Sequence, residues 1–329
     1  MSTHAVNVVE ISSVLPHGNA ERLEIIPVNG WQAVVKKGQF LPGDRAVYIE
    51  PDYTVPTARP EFSFLAKEGR DRHRLKAVRL RGALSFGLLI PVPDELRDRP
   101  SGANVMADLG IERYEPPVKL ARSDELPETE WPQVYSSKFD VENLKKFPAV
   151  IAPGEPVIVT EKIHGANARY LSADGIFYIG SRSNWLKPDV DHPWKRAAAS
   201  DARIQAWCEA HPGIVLYGEI YGAVQSLKYG VKPGEVRFAA FAALAAGEWQ
   251  DTDFLLSDDT LPTVPVVYRG PYDADAIAAL AEMDSTVPGA EPGHMREGVV
   301  VVPEHERRDD YIGRVALKLI SNRYWESAD

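Results

Sequence analysis

The apolar residues of this chain come in short β-branched runs that Gly, Pro and Asn interrupt from one end of the sequence to the other. Helical stretches break in only irregularly, so strict strand–helix alternation is missing, and an α+β architecture is expected rather than a doubly wound sheet. At 329 residues the chain exceeds what one hydrophobic core usually organises, which points to two domains. No run approaches the ~20 consecutive apolar residues that span a bilayer, and the opening segment lacks a signal-peptide core. The sole cysteine, Cys208, excludes an internal disulfide. A cytoplasmic protein with no membrane role is the expectation.

Residues 1–110 divide into β-rich runs with clear turn signals. Val28-Asn29-Gly30-Trp31 carries the Asn-Gly pair of a tight hairpin, and Leu41-Pro42-Gly43-Asp44 combines a preset Pro dihedral with a permissive Gly. Several short strands within about a hundred residues suggest a small barrel of OB type. Residues 111–135, rich in Pro and acidic side chains, read as a linker. Residues 136–329 read as a mixed domain. Its strand-like runs include PVIVTEKI, IVLYGEIYG, VRFAAFAAL, EGVVVVP and RVALKLIS. A helical stripe runs through Trp194, Ala197, Ile204 and Trp207 between Pro193 and Ala210, and Asp273 can cap a second helix carrying Ile277, Leu280 and Ala281.

A net charge of −10 disfavours a general nucleic-acid coat. Local concentration can reverse that. Between Lys67 and Arg81 seven cations face only Glu68 and Asp71, and Arg72, Arg74 and Lys76 fall on alternate positions. On a strand they would share one face and could meet phosphates, although solvated arginines are an equally ordinary reading.

The segment from Thr160 to Asn167 carries the strongest chemical signal. An apolar strand runs directly into Glu161-Lys162, and burying a lysine at a strand end is costly unless it is paired or neutral. No GxxxxGK[ST] loop is present, so an ATP user would need another way to hold its nucleotide.

Lys162-Ile163-His164-Gly165 resembles the nucleophile box of covalent nucleotidyltransferases, in the Lys-x-His-Gly form of template-dependent RNA ligases. Further boxes follow in the family's order. Gly180-Ser181-Arg182-Ser183 is similar to the box whose arginine contacts the nucleotide sugar or acceptor end. Leu216 to Gly222 resembles the box whose carboxylate, here Glu219, binds ribose. Phe238 to Phe241 resembles the aromatic box that stacks on adenine. Arg296-Glu297-Gly298-Val299-Val300 resembles the box whose glutamate assists the metal, and Leu317-Lys318-Leu319 the final lysine box. Residues 16–24 and 30–38 look like the OB module of Deinococcus-type RNA ligases. Two positions depart from the pattern: Ile320 stands where a second lysine is frequent, and Ala242 follows Phe241 where Asp is usual.

The resemblance implies an ATP-dependent RNA ligase that works as a monomer on RNA or RNA-containing duplexes with a 5′-phosphate end. Lys162 would take AMP from ATP, and Mg2+ or Mn2+ would be held by Glu297 and phosphate oxygens. Glu161, Gly165, Arg182, Glu219, Phe241 and Lys318 would bind nucleotide, with Lys318 on the α-phosphate. Asn167 would contact the strand end. A neutral lysine at pH 7.4 costs about 4 kcal/mol, which a neighbouring cation such as Lys318 or a metal would reduce. A structural histidine is the expectation for His164. The chain runs only to Asp329 beyond Lys318, which favours this branch over DNA ligases and capping enzymes that carry a trailing OB domain. A non-catalytic RNA-binding or end-sensing protein on the same fold stays open as the alternative.

Overall fold

The computed structural model describes residues 4–114 and 122–327. They form two compact units: one holds 4–114 together with 325–327, and the other holds 122–324. No helix among the described residues is long and apolar enough to cross a membrane.

Residues 4–114 of the amino-terminal unit are all β apart from short 3-10 turns. Strands Asn7–Glu10, Arg45–Ile49 and Leu88–Pro91 form one sheet, and Leu15–Pro16, Leu23–Val28 and Trp31–Lys36 form another. The Asn-Gly hairpin is present: Val28 pairs with Trp31 while Asn29 and Gly30 both take positive φ, the twist a two-residue turn needs. The Pro42-Gly43 turn closes with Asp44 N–H on Leu41 O at 3.0 Å. Val8, Val47, Ile49, Val55, Phe62 and Leu109 belong to the core of this unit. Trp325 belongs to this unit and meets Trp31 edge to face at 6.1 Å.

The second unit is built on two sheets. Five strands run in the order Glu142–Asn143, Leu317–Ile320, Gly298–Pro303, Pro156–Lys162, Val266–Pro271. Only the first pairing is parallel. Six antiparallel strands run Trp185–Leu186, Ile176–Ser181, Ala166–Ala173, Ile214–Gly222, Val236–Ala245, Glu248–Trp249. The fold is α+β, as the irregular helix insertion implied. Helices Pro193–Ser200 and Ala202–Ala210 cover one face of the six-stranded sheet, burying Trp194, Ala197, Ile204 and Trp207 against Tyr170, Leu216 and Phe238. The sequence stripe reads as one helix, but Asp201 is extended and its carboxylate caps the second segment by accepting Arg203 N–H. Asp273 caps Ala274–Ala281 in the same way, at 2.8 Å from Ala276 N.

Residues 115–121, in the first half of the stretch read as a linker, lie outside the described residues. Its later part is packed rather than free. Leu126, Trp131 and Val134 lie against the Trp185–Tyr217 cluster, on the sheet face away from the two helices. Leu126 N–H donates to Trp185 O at 2.8 Å. Three apolar side chains in an otherwise polar run were enough to dock it.

Candidate active site

Lys162 is the last residue of its strand in the five-stranded sheet, and Ala166 is the first of the next strand in the six-stranded sheet. The Lys-x-His-Gly box is therefore the crossing between the two sheets. Gly165 is required at that crossing by space: a Cβ there would sit 2.0 Å from Ile220 O. Ile163 is buried, anchoring the crossing among Tyr221, Tyr229 and Val264.

Strand register selects what surrounds the amine. Lys162 lies opposite Gly298, and Thr160 and Lys318 flank Val300, so Lys162 and Lys318 project from one face. Lys162 Nζ donates to Glu297 Oε1 at 2.8 Å. From the other sheet comes Glu219, opposite Asn167. Its partial exposure admits water, yet burial still pushes its carboxyl up to about 8. Lys162 opposes that rise, and the charge of Glu297 adds to it. Glu297 goes the other way. Burial raises it, but the Lys162 charge and the contacts from His164 and Lys162 outweigh burial and hold it at about 2. Two carboxylates in one cleft have thus been driven apart, with the proton on Glu219 and the charge on Glu297.

Arg182 joins the cluster by lowering the Glu219 carboxyl, and it is paired with Asp140. Phe241 lies half-buried beside the crossing, its ring 4.4 Å from Phe139 and tilted by 43°. The Asn167 side-chain oxygen is buried with no hydrogen-bond partner, while its main-chain carbonyl accepts from Trp194 Nε1 at 2.9 Å. Glu161 faces the other way. The residue is 1% exposed, and its carboxylate accepts from Ser285 Oγ at 2.6 Å and from Thr286 N at 2.7 Å. Ile320, where a second lysine was the expected residue, is buried opposite Gly298.

Several site residues carry no recognisable sequence signal. Tyr229 lies 65 positions from His164, yet its hydroxyl accepts the His164 N–H at 2.8 Å. Reading His164 as structural leaves out its neighbours. Its ring nitrogens meet Ser226 Oγ at 3.1 Å and Tyr324 OH at 3.2 Å, and Nδ1 lies 3.7 Å from Glu297 Oε2. Phe139 and Asp140 bring the segment after the linker onto Phe241 and Arg182. Only the YSSKF run itself could have hinted at this.

The basic segment of the amino-terminal unit is distributed unevenly. Arg72 is bound to Thr54 and to Gly110 O at 2.8 Å, and Arg74 to Asp52 at 2.6 Å with its guanidinium over Tyr114. Lys76 is half-buried. Lys67, Arg70 and Arg81 are exposed. Burial together with Lys67, Arg70 and Lys76 lowers His73, which marks where their positive field concentrates.

Among the described residues no three His, Cys, Asp or Glu side chains form a metal cage. Glu297 Oε2 is nevertheless buried without a hydrogen bond, beside a second carboxylate. A hard divalent ion that keeps waters and phosphate oxygens fits such an incomplete oxygen set.

A family model described as RNA ligase matches residues 155–320, and an OB-fold domain model matches residues 5–92. Among curated proteins none matches the chain significantly. Among solved structures, Naegleria gruberi RNA ligase is similar along nearly all of its length. A lysine-to-methionine variant solved with AMP and Mn has a TM-score of 0.80 at 26% identity, covering 98% of each chain. A glutamate-to-alanine variant with AMP and Mn gives 0.80 at 26%, covering 98% of this chain and 97% of that one. The form with PPi gives 0.76 at 26%, covering 97% and 96%. The ligase model spans every strand that feeds the cleft, from the one ending in Lys162 to the one bearing Lys318, and on that match the chain belongs to the RNA ligase family.

Proposed function

We propose that the chain is an ATP-dependent RNA ligase that joins 3′-hydroxyl and 5′-phosphate ends through an AMP adduct on Lys162. One observation carries this reading: a strand-end lysine held 2.8 Å from a buried carboxylate, in a cleft shared with a second carboxylate. The neighbours solved with ATP or AMP and Mn support the nucleotide and the divalent ion.

In the first step the Lys162 nitrogen forms a bond to the α-phosphorus as the bond to pyrophosphate breaks. Glu297 fixes the direction of the amine, which must lose its proton before attack. Lys318, on the same sheet face, stands ready to neutralise the α-phosphate and disfavours a second ammonium nearby. Phe241 offers a ring for the base, buttressed from one side by Phe139. Glu219, carrying its proton, can donate to a ribose oxygen. Glu297 would hold the divalent ion together with phosphate oxygens, and the ion when bound would supply charge neutralisation at those oxygens. AMP then passes to the 5′-phosphate, and the 3′-hydroxyl displaces it. Both transfers depend on alignment and charge more than on acid–base groups. The unpartnered Asn167 oxygen fits a contact to the strand end.

The same reading extends to finer features. The substrate is a nick in a duplex with RNA on the 3′-hydroxyl side, the branch is the Deinococcus type with a leading OB module, and the enzyme works as a cytoplasmic monomer. The Lys67–Arg81 segment contributes phosphate contact, through the exposed Lys67, Arg70 and Arg81 and through the half-buried Arg72, Arg74 and Lys76 beside them.

Labelled ATP with Mn2+ tests the core of the proposal. Wild type should acquire a covalent AMP label that Lys162→Ala abolishes. An unlabelled wild type would leave the binding-only alternative standing. Sealing of nicked duplexes that vary the sugar on each side of the break tests the substrate. Equal sealing of all-DNA nicks removes the RNA preference. Replacing Arg72, Arg74 and Lys76 together should flatten the salt dependence of duplex binding.

A further inference from the structure

We propose that the buried Glu161–Arg296 ion pair is a positioning device for Lys162 and Glu297, and that Glu161 acts from beneath the sheet rather than on the nucleotide. This rests on the reading that Lys162 is the adenylylated nucleophile.

Glu161 and Arg296 immediately precede Lys162 and Glu297 in the chain, on adjacent antiparallel strands or their entry. Successive side chains on a strand point to opposite faces. Glu161 and Lys162 therefore leave their strand on opposite faces, while Arg296 and Glu297 lie in the irregular segment just before Gly298, which turns Arg296 onto Glu161 and Glu297 onto Lys162. A contact that fixes Glu161 and Arg296 also fixes the adjoining main chain from which Lys162 and Glu297 depart. Glu161 Oε2 lies 3.3 Å from Arg296 Nε, with both side chains almost wholly excluded from solvent. The remaining capacity of the carboxylate is met by Ser285 Oγ, Thr286 N and Thr286 Oγ1, the last at 3.0 Å. Arg296 Nη1 donates to Leu280 O at 2.7 Å. Main-chain bonds reinforce the frame: Glu161 N–H donates to Pro265 O at 2.8 Å and Ser321 N–H to Glu297 O at 2.9 Å.

Such an arrangement holds two strand ends to one another and to the 280–286 segment without touching the cleft. Buried ion pairs seldom add net stability over apolar packing, so a role in geometry is the more economical account of one placed here. In-line attack tolerates little displacement, and a shift of about 1 Å in a reacting group can cost a hundredfold in rate.

The test follows single-turnover AMP transfer in the full-length protein at varied ATP with Mn2+. Glu161→Gln should slow label formation at saturating ATP about 10- to 100-fold while leaving KM for ATP within about twofold. Arg296→Lys, which keeps the charge but loses the fork, should recover part of the rate. Thr286→Val, which removes one side-chain donor and keeps the main-chain one, should show a few-fold loss. The double variant Glu161→Gln/Arg296→Met removes both charges and should melt close to wild type while remaining slow. A folded double variant that transfers AMP at the wild-type rate overturns the inference, as does a Glu161→Gln protein whose only defect is a tenfold or greater rise in KM. A wild type that forms no adduct sinks the underlying reading, and this inference with it. That failure is distinguishable because it occurs before any variant is compared.

Discussion

Glu161–Arg296 and Lys162–Glu297 are ion pairs one residue apart, each joining the end of one strand to the segment that enters its neighbour, yet one is sealed and the other faces the cleft. The side chains of the first are 0% and 2% exposed, and those of the second 9% for Glu297 and 21% for Lys162. Three hydrogen bonds and the Arg296 ion-pair contact surround the Glu161 carboxylate, whereas Glu297 keeps one oxygen without a hydrogen bond. A carboxylate occupied in this way can only hold position. An unsaturated one retains coordination capacity for something that is not protein. Strand alternation parts Glu161 from Lys162, and the irregular segment before Gly298 parts Arg296 from Glu297, so support and chemistry divide within two consecutive residues.

The widest expected separation is in stability. Arg296→Met leaves the Glu161 charge buried without its cation and should cost about 3–5 kcal/mol. Lys162→Met leaves Glu297 beside His164 and cleft water, where it can regain a proton, and should cost less than half as much. Urea midpoints at fixed m-value read both. Equal losses would erase the distinction between a sealed and an open pair.

Divalent-ion response sharpens it next. An ion bound at the open pair stabilises the folded state by about 2.7 kcal/mol at a hundredfold excess over its Kd. Melting temperature should rise with Mn2+ in wild type and in Thr286→Val, but not in Glu297→Gln. A Glu297→Gln protein that still gains the full shift would move the ion away from this carboxylate.

The contrast also marks where sequence reading succeeds and where it stops. Lys162, Glu219, Glu297 and Lys318 stand in ordered boxes because the chemistry demands those residue types beside strands and glycines, and such patterns survive as local strings. The support is not local. Glu161 finds Ser285 and Thr286 across more than 120 positions, and Tyr229 reaches His164 across 65. No periodicity encodes such pairings; they follow from register and from which sheet a segment docks on. The same limit explains the basic strand. Alternation correctly put Arg72 and Arg74 on one face of a strand, but Asp52, Thr54 and Gly110 O, which occupy their guanidiniums, come from distant turns and strands. The break at Asp201 was legible in principle, since an acidic residue after a serine is a strong cap signal, but the apolar stripe ran through it.

A third pair at the far end of the same strands completes the gradient and carries the smallest effect. Glu155 precedes the Lys162 strand and accepts from Arg307 Nε at 2.7 Å, with side-chain exposures of 21% and 35%. Hydrogen bonding from Arg307 lowers the Glu155 carboxyl against the opposing effect of burial, and the Ala152 N–H adds to the lowering. A depressed acid contributes stability that is fully present above its unfolded value, about 4.3, and is lost as pH falls from there through the folded value. Solvent screening keeps the contribution below about 1 kcal/mol. Wild type should therefore out-melt Glu155→Gln slightly at pH 7, with the difference closing as the pH is taken below 4. An advantage that persists undiminished at pH 3 would mean that the pair staples the strands by packing rather than by charge, and the gradient from open to sealed would lose its electrostatic basis.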